Sequence, residues 1–153
     1  MSDNPFIGLY HDIGKIGVST STLSKPKGEK LTSEEWEEVK THPDFGFWLI
    51  TNHPELIFML AGIEFHHENY NGTGYPRCLA GRDIPHDARL IRVADTYETM
   101  TSGRIYKRPM THEEACEELR LHSGTLFDPK IVECFLDNNH SFKDLLEFSS
   151  KKV

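Results

Sequence analysis

The chain has 153 residues, the length of one domain, and its 17 Lys and Arg against 24 Asp and Glu give a net charge of −7. This acidic balance argues against a protein that coats DNA or an anionic membrane, because either needs a sustained basic surface. With 37% hydrophobic and 27% charged residues, no signal peptide and no unbroken apolar run that could cross a bilayer, we expect one cytoplasmic domain over residues 1–153.

Apolar residues recur at helical spacing along almost the whole chain, and no run shows the alternation of a strand. Helix starts are marked by capping residues or by a proline in the first turn, at Asn4–Pro5, Thr32, Pro43, Pro54, Asp87, Thr111, Asp128 and Ser141. The first helix is predicted to end at Gly14, the one that begins at Pro54 at about Glu68, and the one capped by Asp87 is predicted to cover Ala88 to Thr101. Gly124 is the predicted stop after Thr111.

Two long segments, 14–31 and 69–86, interrupt this helical pattern and are rich in glycine. Irregular segments of this length in a compact domain are usually functional. The sequence therefore predicts an all-α domain with two long functional loops.

The three cysteines, Cys78, Cys116 and Cys134, are odd in number and widely spaced. This pattern favours reduced thiols over a disulfide framework or a cysteine–zinc site. We expect each of them to be a small apolar filler of the core.

Histidine is the informative residue type, with nine copies, several of them beside Asp or another His. Adjacent residues on a helix point about 100° apart, so the pairs His11–Asp12 and His66–His67 suit two neighbouring metal ions better than one. By itself, the first pair is weak evidence for metal, because a charge that interacts with the helix dipole at a helix end explains it more simply.

Two single residues extend this set. His42 adds a third imidazole position at a helix junction. Asp95 lies among apolar neighbours, where an unpaired carboxylate would be costly, so it either pairs with an arginine or binds metal.

Histidine and aspartate are ligands for iron, manganese or zinc, and the absence of cysteine from the set disfavours a structural zinc site. Two such ions about 3.5–4 Å apart can generate a bridging hydroxide and clamp a phosphoryl group. The residues therefore favour a dinuclear phosphohydrolase.

Four ordered motifs resemble the HD-GYP family, the bacterial cyclic di-GMP phosphodiesterases of the HD phosphohydrolase superfamily. They are HDIGKIGV (residues 11–18), KLTSEEWEEVKTHPDFG (30–46), HHENYNGTGYP (66–76) and IPHDARLIRVADTYETMTSGRIYK (84–107), and the resemblance covers about residues 8–135. It implies an HD-type helical bundle, two divalent metal ions, iron or manganese, and a role in signal transduction.

The resemblance also implies a role for each matching residue. The implied metal ligands are His11, Asp12 (which would bridge both ions), His42, His66, His67 and Asp95. Lys15 matches a lysine that reaches the scissile phosphate and would act beside Asp12 in catalysis. The implied contacts to the dinucleotide are Lys15, the signature loop Gly74, Tyr75 and Pro76, and the basic residues Arg104 and Lys107, which could otherwise be solvated surface charges.

One departure from the family concerns the start of the chain. Family members carry two further helices before the His–Asp pair, the first with another histidine ligand, whereas only ten residues precede His11 here. One ion would keep Asp12, His42, His66 and His67, and the other would be one ligand short. We therefore expect an N-terminally truncated domain, with exposed apolar faces and a tendency to form homo-oligomers; Asn71, where the family often has Asp, is a milder change.

The resulting expectation is a phosphodiesterase that hydrolyses cyclic di-GMP to linear pGpG or GMP. One alternative is a catalytically weak remnant that binds cyclic dinucleotides or diguanylate-cyclase domains. Another keeps the enzyme but changes the substrate to a different cyclic dinucleotide or nucleotide.

Overall fold

The computed structural model describes residues 6–26, 29–102 and 108–138 and confirms the all-α class for them. Their α-helices are α1 (Phe6–Tyr10), α2 (Thr20–Leu23), α3 (Ser33–Val39), α4 (His42–Ile50), α5 (Leu60–Phe65), α6 (His86–Ser102), α7 (His112–Leu121) and α8 (Pro129–Asp137). Short 3₁₀ helices cover Ile13–Gly17, Pro54–Met59 and Gly81–Asp83. In these ranges extended backbone pairs only in two isolated bridges, Asn71 with Ala80 and Ser123 with Phe127.

Three of the predicted helix caps, Thr32, Thr111 and Asp128, are confirmed. Thr32 accepts from the backbone N–H of Glu35, whose carboxylate accepts from the Thr32 N–H in return, and Thr111 and Glu114 repeat this box at α7. Asp128 caps α8 by accepting from Lys130 N at 2.8 Å. The caps predicted at Asn4–Pro5 and at Ser141 lie outside the described residues.

Several predicted boundaries are wrong. The helix expected to reach Gly14 ends at Tyr10, and a 3₁₀ turn follows it. The one expected from Pro54 to Glu68 is a 3₁₀ segment that becomes α-helical only from Leu60 to Phe65. Helix α6 begins at His86, before the predicted cap, and the first predicted loop carries α2.

Among the described residues, two apolar clusters form the core, and α6 contributes to both. Val93 and Tyr97 pack with α7 and α8, while Ile91 packs with α1, α4 and α5. Asp95 lies on the same helix and contacts His11, so α6 also carries a polar side chain that faces the segment after α1. Within the described residues no helix is long and apolar enough to cross a membrane.

The cysteine expectation holds for one residue of three. Cys116 is buried, whereas Cys78 and Cys134 are exposed. All three are free thiols. Cys78 cannot be a filler because it lies in a surface loop, where its φ of 56° is left-handed.

A close backbone approach places the 3₁₀ segment Ile13–Gly17 against α4. A Cβ atom added to Gly14 would lie 1.9 Å from the carbonyl oxygen of His42 and 2.5 Å from the nitrogen of Gly46. Only glycine allows this contact, which sets the distance between the segment after α1 and the first turn of α4.

Candidate metal centre

Four side chains from three parts of the chain converge on one point. Ligand atoms of Asp12, His42, His66 and His67 all lie within 4.8 Å of one another. Asp12 Oδ1 is 3.3 Å from His42 Nε2 and 3.8 Å from His66 Nε2. His42 and His66 are fully buried, and the structure therefore holds a carboxylate against buried imidazoles.

Backbone carbonyls fix the orientation of three histidines. Nδ1 of His42 lies 2.7 Å from the Val39 carbonyl oxygen, Nδ1 of His66 lies 2.8 Å from that of Ile63, and Nδ1 of His11 lies 2.6 Å from that of Gly8. A carbonyl only accepts, so each Nδ1 donates its proton to the carbonyl and each Nε2 is the ring nitrogen that faces inward.

The Nε2 atoms of His42 and His66 face each other. His42 Nε2 and His66 Nε2 are 3.3 Å apart. His11 Nε2 is buried and has no hydrogen-bond partner among the described residues. Imidazole nitrogens clustered around a carboxylate in this way fit the ligand set of divalent cations.

The protonation states of the cluster suit a metal ligand set. Burial alone would raise the pKa of Asp12, but its contacts with His42, His66 and Lys15 outweigh that effect and hold the pKa far below its usual range. Burial lowers the pKa of His66 and of His67. At neutral pH the carboxyl is therefore ionised and both imidazoles are neutral.

A second group of possible ligands adjoins the first across Asp12. His11 Nε2 lies 3.5 Å from Asp12 Oδ2 and 3.6 Å from Asp95 Oδ1. Burial lowers the pKa of His11, but Asp95, the Gly8 carbonyl and Asp12 together raise it above its usual value. Burial raises the pKa of Asp95, but the contact with His11 outweighs burial and keeps this pKa below its usual range. Asp12 thus presents one oxygen to each group.

Lys15 occupies the outer side of Asp12. Its Nζ is 2.5 Å from Asp12 Oδ2, and about a third of its side chain is exposed. The Ile13–Gly17 turn brings the two residues together, since Lys15 N donates to the Asp12 carbonyl at 2.9 Å. An ammonium group therefore lies at the rim of the cluster.

The loop after His67 folds back over the cluster. The rings of His67 and Tyr75 stack with centroids 4.7 Å apart and planes 19° apart, and Tyr75 N donates to the His67 carbonyl at 3.3 Å. Gly74 is buried so tightly that an added Cβ would be 2.4 Å from Glu68 Cα. The peptide bond between Tyr75 and Pro76 is cis.

The structure brings the six histidine and aspartate positions that the sequence singled out into one cluster, with Lys15 at its edge and the 74–76 segment above it. Arg104 and Lys107 lie outside the described residues.

Sequence reasoning missed Arg92, which lies three residues before Asp95 on α6. Its Nη2 donates to Asn69 Oδ1 at 3.0 Å, its Nε is buried without a hydrogen-bond partner in the described chain, and burial lowers its pKa. Helical spacing from Asp95 was the signal that could have placed Arg92 on this face.

Comparison with known proteins gives a consistent result. A family model described as HD domain matches residues 4–131. The chain is 41% identical to a cyclic di-GMP phosphodiesterase of Thermotoga maritima over 143 residues, which are 92% of this chain and 38% of the relative. It is 35% identical to the 3'3'-cGAMP-specific phosphodiesterase 2 of Vibrio cholerae over 134 residues, 86% of this chain and 25% of the relative.

A solved structure supports the same fold. A cyclic GMP-AMP specific phosphodiesterase of V. cholerae superposes with a TM-score of 0.59 and 25% identity, over 84% of this chain and 35% of that chain. The chain thus spans between about a quarter and two fifths of the length of these three proteins.

Proposed function

This chain belongs to the HD domain family, in its HD-GYP branch, and we propose that it is a metal-dependent phosphodiesterase of cyclic dinucleotides. The observation that carries the proposal is the convergence of Asp12 with His42, His66 and His67, whose ligand atoms all lie within 4.8 Å of one another. The activities of the relatives, which act on cyclic di-GMP or 3'3'-cGAMP, supply the substrate class.

We propose two ion sites that share Asp12. One would be held by Asp12, His42, His66 and His67, and the other by His11, Asp12 and Asp95, with iron or manganese as the ions. Divalent ions there would activate a water molecule and neutralise charge on a phosphodiester.

The protein's own contribution begins with Lys15. Its ammonium group contacts Oδ2 of Asp12, and the side chain is partly exposed. Lys15 can therefore reach a phosphodiester that is bound at the cluster. A cation in that position stabilises negative charge that develops on phosphoryl oxygens. The same contact keeps Asp12 ionised and therefore able to bind metal.

Substrate contacts are proposed for the loop and for the segment after α6. Gly74, Tyr75 and Pro76 would contact the dinucleotide beside the cluster, where Tyr75 is held by its stack on His67. Arg104 and Lys107 would hold its phosphates. Cyclic di-GMP is the proposed substrate, with linear pGpG or GMP as product. The alternative substrate is 3'3'-cGAMP, because the relatives include phosphodiesterases of both dinucleotides.

The test compares wild type with two isosteric variants. Asp12→Asn removes the shared carboxylate, and Asp137→Asn makes the same change at an exposed position at the end of α8. Protein purified without oxygen is analysed for metal and incubated with Mn²⁺ or Fe²⁺ and either cyclic dinucleotide.

We expect bound metal and linear product for wild type and Asp137→Asn, and the loss of both for Asp12→Asn. Wild-type protein that binds no metal would refute the site. Binding of the dinucleotide without any turnover would refute the enzyme and favour an interaction module.

A further inference from the structure

Glu68 is a buried carboxylate that the proposed chemistry does not use. It is 1% exposed, and no ion pair involves it in the described ranges of the chain. Its Oε1 accepts from the backbone N–H of Arg77 at 2.7 Å, and its Oε2 accepts from that of Leu79 at 3.1 Å. A buried charge satisfied by two amides of one loop indicates that the carboxylate holds that loop.

The position of Glu68 connects the two parts of the site. It follows the ligand pair His66–His67 directly, and the backbone of Gly74 packs against its Cα. The loop that runs from Gly74 past Arg77 to Leu79 is thus anchored on the residue next to the metal ligands.

A second anchor of the loop is much weaker. The side chain of Arg77 lies 2.8 Å from Asp44 and 3.0 Å from Glu64, but half of it is exposed to solvent, which screens the pairing. Glu68 is therefore the stronger of these two contacts.

We propose that Glu68 is a positioning residue that fixes the 74–79 loop over the cluster and so sets affinity for the dinucleotide without binding metal itself. This inference rests on the proposed function. Both carboxylate oxygens are acceptors, so Glu68 is suited to two N–H donors. A glutamine of the same shape offers one acceptor and one NH₂ group, which would face a backbone N–H.

The experiment compares Glu68→Gln with Glu38→Gln in the full chain. Glu38 also accepts from a backbone N–H, that of Ser19 at 2.8 Å, and from the Thr22 hydroxyl at 2.7 Å, but it pins α2 to α3 away from the loop. Four quantities are measured: amide hydrogen exchange, metal content, cyclic di-GMP kinetics and turnover of bis(p-nitrophenyl) phosphate, a small phosphodiester.

For Glu68→Gln we expect the amides of Arg77 and Leu79 to exchange about tenfold to a hundredfold faster, as for a lost hydrogen bond to a charged acceptor. KM for cyclic di-GMP should rise at least tenfold, with kcat, metal content and small-phosphodiester turnover unchanged. Glu38→Gln should leave all of these at wild-type values. If Glu68→Gln fails to fold, Glu68→Asp keeps the charge, is too short to reach both amides, and should show the same pattern.

Unchanged exchange at Arg77 and Leu79 overturns the inference. Equal losses on both substrates, or loss of metal, also overturn it, because Glu68 would then act on the metal centre. If wild type turns over neither substrate, the proposed function fails, and the exchange result still decides whether Glu68 holds the loop.

Discussion

Replacing Gly14 with alanine tests whether the close approach of two backbones sets the geometry of the metal centre. The new Cβ would lie 1.9 Å from the His42 carbonyl oxygen, where real contacts stay above 3.0 Å, so the backbones must separate by about 1 Å. Asp12 precedes Gly14 in the same turn, and His42 begins α4. The substitution therefore moves Asp12 away from His42.

The expected size of the effect follows from this displacement. Metal–ligand distances tolerate about 0.2 Å, so a shift of about 1 Å should weaken Mn²⁺ binding at least tenfold. Overpacking costs about 1–3 kcal/mol, which should lower the melting temperature of a chain of this length by about 3–9 °C.

Gly8→Ala is the matched control, because an added Cβ there meets nothing within 4 Å. It keeps the carbonyl that accepts from His11, and alanine favours the helical conformation of α1 by about 1 kcal/mol. Calorimetric Mn²⁺ titration and thermal melts of wild type and both variants give the answer. A Gly14→Ala protein that binds Mn²⁺ like wild type and melts at the same temperature would refute the reasoning.

Three further predictions use other features of the structure. Lys15→Met should lower kcat for cyclic di-GMP about a hundredfold with little change in KM, since the Lys15 ammonium group stabilises the transition state. Steady-state kinetics that show an unchanged kcat would contradict this role. Cys78→Gly should raise the melting temperature by about 2–4 °C, because a φ of 56° costs a residue with a Cβ atom about 1 kcal/mol. A lower melting temperature of the variant would show that the backbone at Cys78 is not strained. Metal-free protein should lose stability from about pH 6.5 downward, because folding lowers the pKa values of His66 and His67 and the unfolded chain then binds protons there that the folded chain does not. The free energy of unfolding should fall by up to about 1.4 kcal/mol per pH unit for each of these histidines. The raised pKa of His11 acts in the opposite direction and offsets part of this loss. Urea midpoints at pH 7 and pH 5.5 measure this, and a higher midpoint at pH 5.5 would show the sign to be wrong.

The sequence predicted what depends on local chemistry. The capping boxes at Thr32 and Thr111 were predictable because each needs only residues within one turn. The helix from Pro54 was predicted too long, because apolar spacing does not distinguish a 3₁₀ turn from an α-helix.

Contacts between segments that are distant along the chain could not be predicted from the sequence pattern. The approach of Gly14 to α4 and the anchoring of the loop on Glu68 join residues that spacing along the chain does not relate. The ligand types could be chosen from sequence, whereas the distances between them required the fold.

The helix ends explain why adjacent ligands can converge at all. Neighbouring side chains within a helix diverge by about 100°, yet His11–Asp12 and His66–His67 each point into one cluster. Both pairs come directly after the end of a helix, since α1 ends at Tyr10 and α5 at Phe65.

The same ends orient the rings. Nδ1 of His11, His42 and His66 each lies within hydrogen-bond distance of the carbonyl three residues earlier, and all three carbonyls belong to the last three residues of a helix, where no intrahelical donor is available. The carbonyls that a terminating helix leaves unpaired thus become the contacts that turn each Nε2 inward. One local feature, the end of a helix, therefore accounts for the orientation of all three rings.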